Sequence, residues 1–183
     1  MRIRPYTLDD LPLLKSFADS TIDHGYYSVA ELEDIYYRSQ KNGCQCTLIL
    51  EDAERRIRGM RITFPPGHWQ RGKGRGLAPE RWGVELKDAA YFQSLFMDPS
   101  LTGQGWGTRV SRQAIQILLK LGAKAVVTHS WKESPHDSSR RCLRGLGFSP
   151  VACYPGYWSE VAFSCSRCGK PCACTAEEMI LRL

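Results

Sequence analysis

One stretch, residues 91–121, constrains the fold of this chain more than any other. It begins with large apolar residues at 91–97, a pattern that predicts a buried strand. Asp98-Pro99 ends the strand, because proline has no N–H to donate to a sheet. A glycine-rich turn follows at residues 102–107, and apolar residues then recur at helical spacing. The order of strand, turn and helix predicts a chain of the α/β class.

The chemistry that such a turn favours is anion binding. Glycine lets the backbone approach a ligand closely, and the first N–H groups of a helix have no partner within it. The positive end of the helix dipole adds to the attraction, so a pyrophosphate can be held by the backbone alone. The glycine pattern by itself is weak evidence, and a loop shaped only by turn geometry is the alternative.

Length and composition indicate one globular domain. The chain has 183 residues, of which 43% are hydrophobic and 24% are charged, so a sizeable core is expected. No apolar run is long enough for a membrane span, and Arg2 and Arg4 lead into a polar segment rather than a signal peptide. We therefore expect a cytoplasmic protein with no membrane partner. The net charge of +6 suits an anionic cofactor or weak nucleic-acid binding and does not choose between them.

The segment LFMDPSLTGQGWGTRV, residues 95–110, resembles the acetyl-CoA-binding segment of the GNAT superfamily of N-acetyltransferases. Gly105 and Gly107 match both glycines of the family pattern Gln/Arg-x-x-Gly-x-Gly/Ala, and Thr102 stands where Gln or Arg is usual. Further resemblance at residues 1–17, at LRGLGF (143–148) and at CYPGYW (153–158) covers almost the whole chain. It implies a single domain, residues 1–183, with the acyl-CoA N-acyltransferase fold. That fold is a mixed, mostly antiparallel twisted sheet with splayed central parallel strands, flanked by helices.

The resemblance also implies a function: transfer of an acetyl group from acetyl-CoA to a primary amine on a small molecule or peptide. Acetyl-CoA would lie between the splayed strands. The acceptor would contact Asp23, His24, Tyr26 and Tyr27; the alternative is that these four are ordinary loop residues. The implied cofactor contacts are Leu95, Phe96, Met97, Thr102, Gly103, Gln104, Gly105, Trp106, Gly107, Thr108 and Ser139. Oligomeric state is left open, and a homodimer is one alternative.

The catalytic side chains of the family are not all present. Gln93 stands where Glu is common and cannot act as a base, and Leu143 stands where a Tyr is expected. The remaining candidates are Glu85 as base, His129 or His136 as proton carrier, and Asp137. Tyr154 or Tyr157 could supply the acid, and each of these residues could instead be structural. The alternative function is a catalytically weak acyl-CoA sensor or an interaction module.

Four of the eight cysteines lie within ten residues, at Cys165, Cys168, Cys172 and Cys174. The spacing Cys-x2-Cys-x3-Cys-x-Cys predicts a tetrahedral thiolate site that holds a structural zinc ion. An iron–sulfur cluster, free thiols and disulfides are the alternatives. The resemblance implies that this knuckle, residues 165–174, lies in the turn of the last hairpin. All four metal positions would be filled by protein, which leaves none for a substrate.

Two further segments carry weaker signals. Residues 65–81 are rich in Gly, Pro and basic residues, and we expect an excursion that covers the acceptor pocket, attracts an acidic partner or is a plain loop. Nucleic-acid binding by this loop and the knuckle ranks last, because the knuckle has only Arg167 and Lys170 as basic residues. Cys44 and Cys46 would share one face of a strand, which favours two buried thiols over a metal role.

Overall fold

The computed structural model describes residues 1–22, 24–69, 74 and 76–183. The strands of the main sheet are β1 (Arg2–Pro5), β4 (Leu48–Glu51), β5 (Ile57–Phe64), β6 (Ala89–Met97), β7 (Ala125–Trp131), β8 (Ser149–Tyr154) and β9 (Ala176–Arg182), and a separate short ribbon consists of β2 (Gln40–Lys41) and β3 (Cys44–Gln45). The sheet has the order β1-β4-β5-β6-β7-β9-β8. Among these described strands, β6 and β7 form the one parallel pair. The predicted fold class is confirmed.

Helices cover both faces of the sheet and bury its side chains. The helices are α1 (Leu11–Thr21), α2 (Val29–Arg38), α3 (Trp106–Lys120) and α4 (Ser138–Gly145). Helices α1 and α2 pack on one face, and α3 and α4 pack on the other. Local sequence explains where α2 begins. Ser28 accepts a hydrogen bond from the Glu31 N–H at 3.1 Å, and the Glu31 carboxylate accepts one from the Ser28 N–H, so the two residues cap the helix.

The pairing of β6 with β7 is the feature that positions the site. It runs from Ala89–Ala125 to Phe92–Thr128 and then stops. Beyond it, residues 94–97 of β6 are paired only with β5, and Gln93 is an extra residue of β6 that bulges between the pairs Thr63–Phe92 and Ile62–Ser94. A bulge bends its strand and increases the twist, so the ends of β6 and β7 diverge. We call the resulting gap the cleft; it lies between residues 93–97 and 129–131. This is the predicted splay.

The last α-helix, α4, begins only at Ser138, because His136 and Asp137 have φ of 54° and 55°, which does not fit an α-helix. One detail differs from the sequence expectations, and it concerns the pair Cys44 and Cys46. Cys44 is exposed and only Cys46 is buried, because β3 ends before Cys46 and the alternation of a strand no longer applies. No helix in the described part of the chain has the length and hydropathy needed to cross a membrane.

Candidate active site and metal centre

The glycine turn lies at the open end of the cleft. Gly103 and Gly105 have φ of 78° and 77°, a conformation that favours glycine, and Gly105 is the residue that caps the start of α3. A Cβ built at either position would meet nothing within 4 Å, so the backbone faces open space. A Cβ at Gly107 would lie 3.1 Å from Leu95, which shows how closely α3 packs on β6. The turn and the unpaired edge of β6 are therefore contiguous, as an elongated anionic ligand requires.

A buried positive charge lies beneath this turn. Arg61 of β5 is 3% exposed, and its guanidinium donates to Ser111 Oγ of α3 at 2.9 Å and lies 4.3 Å from the ring centre of Phe92. Burial lowers the pKa of Arg61 to about 10, so the group stays protonated at neutral pH. No carboxylate of the described residues forms an ion pair with it. Arg61 is not among the site residues predicted from the sequence, although a basic residue within the largely apolar strand IRGMRITF was a signal.

On the α1–α2 face, His129 is the first residue of β7 beyond the segment that pairs with β6. Its side chain is 3% exposed. The Tyr91 hydroxyl lies 2.9 Å from Nδ1, and a carboxylate oxygen of Glu178 lies 3.6 Å from Nε2. At 3.6 Å the Nε2 atom forms no hydrogen bond, but the negative charge of the carboxylate favours an N–H rather than a lone pair on this side of the ring. We therefore assign the ring proton to Nε2, which leaves Nδ1 to accept from Tyr91. The ring of Tyr157 stacks on His129 at 4.5 Å.

Glu178 of β9 organises this group of side chains. It is fully buried and accepts hydrogen bonds from Trp82 Nε1 at 2.5 Å, from the Ala78 N–H at 3.0 Å and from the Tyr154 hydroxyl at 2.9 Å. Burial raises the pKa of Glu178, but the interactions with His129, Trp82 and Tyr154 outweigh it and leave the pKa below its usual value. Glu178 thus joins two sequence candidates, His129 and Tyr154. Sequence reasoning missed it, although an acidic residue within the buried strand AEEMILR was a signal.

The other catalytic candidates lie elsewhere. Glu85 is exposed and forms an ion pair with Lys87 at 2.8 Å, at the end of β6 opposite the cleft. His136 is exposed in the short turn before α4. Ser139, a cofactor candidate on α4, accepts a hydrogen bond from Ser130 of β7 at 2.9 Å, next to the cleft. The structure therefore brings His129 and Tyr154 together and leaves Glu85 and His136 apart from them.

The connection between α1 and α2 reaches the bulge of β6. The Tyr27 hydroxyl lies 3.0 Å from Ser94 Oγ and accepts a hydrogen bond from Gln93 Nε2 at 3.1 Å. The Tyr26 ring packs edge-on against Tyr27 with centres 4.9 Å apart. His24 lies on the outer side of this connection, exposed and 3.5 Å from Asp19. Asp23, the remaining acceptor candidate, lies outside the described residues.

The described part of the glycine-rich loop lies against the same site. A Cβ built at Gly74 would be 1.8 Å from the ring of Tyr157, and one at Gly76 would be 2.3 Å from the ring of Tyr154. Only glycine fits at such distances, so the loop passes directly over these two tyrosines. Residues 70–73 and 75 of the predicted excursion lie outside the described residues.

The four clustered cysteines meet in the connection between β8 and β9. Their Sγ atoms all lie within 4.8 Å of one another. The Sγ–Sγ distances are 3.8 Å for Cys165–Cys174, 3.8 Å for Cys168–Cys172 and 3.7 Å for Cys168–Cys174. Four sulfurs at a zinc–sulfur distance of about 2.3 Å form a tetrahedron with edges of about 3.8 Å. These distances are far too long for disulfides, and the donor set fits one tetrahedral metal ion.

Comparison with known proteins agrees with this geometry. The family model described as "Acetyltransferase (GNAT) family" matches residues 15–148 of the 183. The chain belongs to the GNAT family. Membership carries the acetyltransferase kind of function and leaves the acceptor unidentified. A search of curated proteins gave no significant match.

Solved structures share the GNAT fold across the chain. The ribosomal-protein-S18-alanine N-acetyltransferase of Escherichia coli is 15% identical with a TM-score of 0.66, over 99% of this chain and 92% of that one. Ard1 of Thermoplasma volcanium is 14% identical with a TM-score of 0.69, over 100% and 97%. A chain of the NatC complex bound to Gag peptide and CoA is 15% identical with a TM-score of 0.70, over 100% of this chain and 98% of that one. At these identities the likeness concerns the fold.

Proposed function

We propose that this GNAT protein transfers an acetyl group from acetyl-CoA to a primary amine. The observation that carries the proposal is the cleft: among the described residues no strand pairs with 93–97 of β6 on the side of β7, and this edge leads to the glycine turn of α3. Backbone groups of the edge can pair with the amides of the pantetheine arm, and the turn can hold the pyrophosphate. The CoA named for the NatC structure supports the cofactor, and the Gag peptide named there supports a peptide amine as one class of acceptor.

Acetyl transfer forms a C–N bond, breaks the C–S bond of the thioester, removes a proton from the amine and releases the CoA thiolate, which takes a proton from water. We assign the proton acceptor to Nδ1 of His129, reached through the Tyr91 hydroxyl, with the Glu178 carboxylate stabilising the imidazolium that results. A backbone N–H on the free edge of β6 can stabilise the oxyanion. Tyr154 donates to Glu178, so we assign it a positioning role rather than that of acid.

The turnover experiment uses acetyl-CoA with a panel of amines, including polyamines, aminoglycosides and peptides with free N-termini, and follows release of the CoA thiol. Thiol release that depends on both the protein and one class of amine is expected. Binding of acetyl-CoA without thiol release on any amine would favour the sensor alternative. Buried Leu143 at the position of the family Tyr is the observation behind that alternative, because it leaves no phenol on α4 to protonate the thiolate.

We also propose that the cysteine cluster holds one structural zinc ion. Four protein thiolates complete a tetrahedral coordination sphere, so the ion would stabilise the loop and take no part in the chemistry. We expect about one equivalent of zinc by elemental analysis of purified protein. Iron with visible absorption would point to an iron–sulfur cluster instead, and the absence of any metal in protein that remains folded would contradict the proposal.

We expect Arg61→Met to weaken acetyl-CoA binding about tenfold, or about 1.4 kcal/mol, without lowering the melting temperature of the free protein. Methionine keeps an apolar contact with Phe92 but removes a buried charge that has no carboxylate partner and that only an anionic ligand compensates. Calorimetric titration with acetyl-CoA measures the effect. Arg58→Met is the control, because Arg58 lies on the same strand but pairs with Asp52 and Asp98. Equal affinities for both variants would contradict a role for Arg61.

A further inference from the structure

The loop that carries the cysteines also carries aromatic side chains that pack on them. We call residues 155–175, between β8 and β9, the cysteine loop. Trp158 and Phe163 of this loop, together with Trp131 of β7, pack against the buried sulfurs of the cluster. The loop contains no helix or strand, and the cysteines with these rings form a small hydrophobic cluster of their own. The positions of the rings therefore depend on the four sulfurs staying together.

Phe163 connects the cluster to the acceptor side of the cleft. Its ring packs edge-on against Tyr26 with centres 5.2 Å apart. Tyr26 in turn contacts the rings of Tyr27 and Phe96, at 4.9 Å and 6.4 Å. Since the Tyr27 hydroxyl is bound at the β6 bulge, a continuous row of rings runs from the cysteines to the edge of the cleft.

Tyr157 makes a second connection, to the proposed proton acceptor. Its backbone N–H donates to the Cys174 carbonyl at 3.2 Å, and its ring packs edge-on against Trp158 with centres 4.8 Å apart. The same ring stacks on His129. The cysteine loop thus touches the site at two places, both on the face that carries α1 and α2. The glycine turn and α3 lie on the opposite face.

We expect metal binding to supply much of the free energy that orders this loop. Ordering a residue of backbone costs about 1–2 kcal/mol of conformational entropy, and a loop with so small a core recovers little of that by burial. Zinc bound by four thiolates supplies enough free energy to fold a small module by itself. Without the ion, the sulfurs lose the interaction that holds them together, and Phe163 and Tyr157 lose their support.

We propose that the metal-bound cysteine loop forms one wall of the acceptor site, so that loss of the metal impairs acceptor binding and leaves acetyl-CoA binding intact. The proposal rests on the proposed function, because it concerns the amine acceptor of the same reaction. It makes Phe163 and Tyr157 positioning residues for the acceptor. It also gives the cluster a role in substrate binding, although the metal has no open coordination position.

The experiment compares Cys168→Ser with Cys153→Ser, an exposed cysteine outside the cluster. Zinc content, acetyl-CoA affinity by calorimetry and the KM for the best amine are measured on each. We expect the Cys168 variant to lose zinc, keep acetyl-CoA affinity within about twofold and raise the acceptor KM at least about tenfold. The Cys153 variant should match the wild type. An unchanged acceptor KM in zinc-free protein, or an equal loss of affinity for both substrates, would overturn the proposal.

Phe163→Ala provides a test that keeps all four metal ligands. It should retain zinc, because all four ligands remain, and should retain acetyl-CoA affinity. We expect it still to raise the acceptor KM, because it removes the ring that joins the cluster to Tyr26. An unchanged acceptor KM would contradict a role of the loop in acceptor binding. Hydrogen exchange at residues 24–28 gives a readout without turnover. We expect faster exchange there in Cys168→Ser and Phe163→Ala than in Cys153→Ser, and identical exchange would overturn the proposal. Failure of wild-type protein to bind acetyl-CoA would refute the proposed function while leaving this exchange result readable.

Discussion

Glu178→Gln is expected to destabilise the protein by about 3 kcal/mol and to reduce turnover strongly. Three donors point at the Glu178 carboxylate, from Trp82, Ala78 and Tyr154, and a glutamine amide would turn an N–H towards at least one of them. The variant also removes the negative charge beside His129. Urea unfolding measures the first effect, and thiol release measures the second.

Glu177→Gln is the matched control, on the same strand and also buried. One of its carboxylate oxygens has no hydrogen-bond partner among the described residues, so the amide breaks fewer bonds there. A loss of stability at position 178 no larger than that at position 177 would contradict the assigned hydrogen bonds.

Acid should remove the same stabilisation without a mutation. The pKa of Glu178 is lower in the folded protein than its ordinary value of about 4.3, so the folded state takes up this proton less readily than the unfolded state. The stabilisation is complete above that ordinary value and is lost as the pH falls through the folded pKa. We expect unfolding free energies measured across this acidic range to fall less steeply in Glu178→Gln than in wild type.

Gly105→Ala is expected to lower acetyl-CoA affinity at least about tenfold, while Gly122→Ala leaves it unchanged. The two glycines are closely matched: they flank the start and the end of α3, have φ of 77° and 78°, and have no atom within 4 Å of a built Cβ. Both variants should therefore lose about 1 kcal/mol of stability from backbone strain. Only the methyl group at Gly105 would stand where the proposed function puts the pyrophosphate of acetyl-CoA.

Calorimetry with acetyl-CoA and thermal unfolding of both variants separate strain from ligand contact. An equal loss of acetyl-CoA affinity in both variants would mean that backbone strain alone causes the loss. Unchanged affinity in both variants would contradict binding of acetyl-CoA at this turn.

The sequence predicted the parts of the site that depend on local pattern. The strand, glycine turn and helix of residues 91–121 follow from spacing along a short stretch, and all three elements are present. The cysteine cluster was predicted for the same reason, because its four ligands lie within ten residues. Thr102 and the two glycines lie at the start of α3, where their order along the chain puts them. Their proposed contacts with a cofactor remain predictions.

The parts that could not be predicted depend on residues far apart in the chain. Glu178 receives its hydrogen bonds from Trp82 and Ala78, about a hundred residues earlier, and only the sheet order brings β9 next to β7. Arg61 is a similar case, because Ser111, which accepts its hydrogen bond from α3, lies fifty residues away in the chain. The sequence offered His129 as a candidate proton carrier, but it did not show that a buried carboxylate would face this residue.

A carbon-13 spectrum recorded with acetyl-CoA labelled at the acetyl carbonyl would follow the transferred group itself. Protein, labelled acetyl-CoA and the amine that releases thiol are mixed, and the carbonyl resonance is observed over time. We predict that the thioester signal is replaced by an amide signal, and that the change requires both the protein and the amine. A thioester signal that persists although acetyl-CoA binds, or one that gives only free acetate, would contradict an acetyl transferase acting on amines.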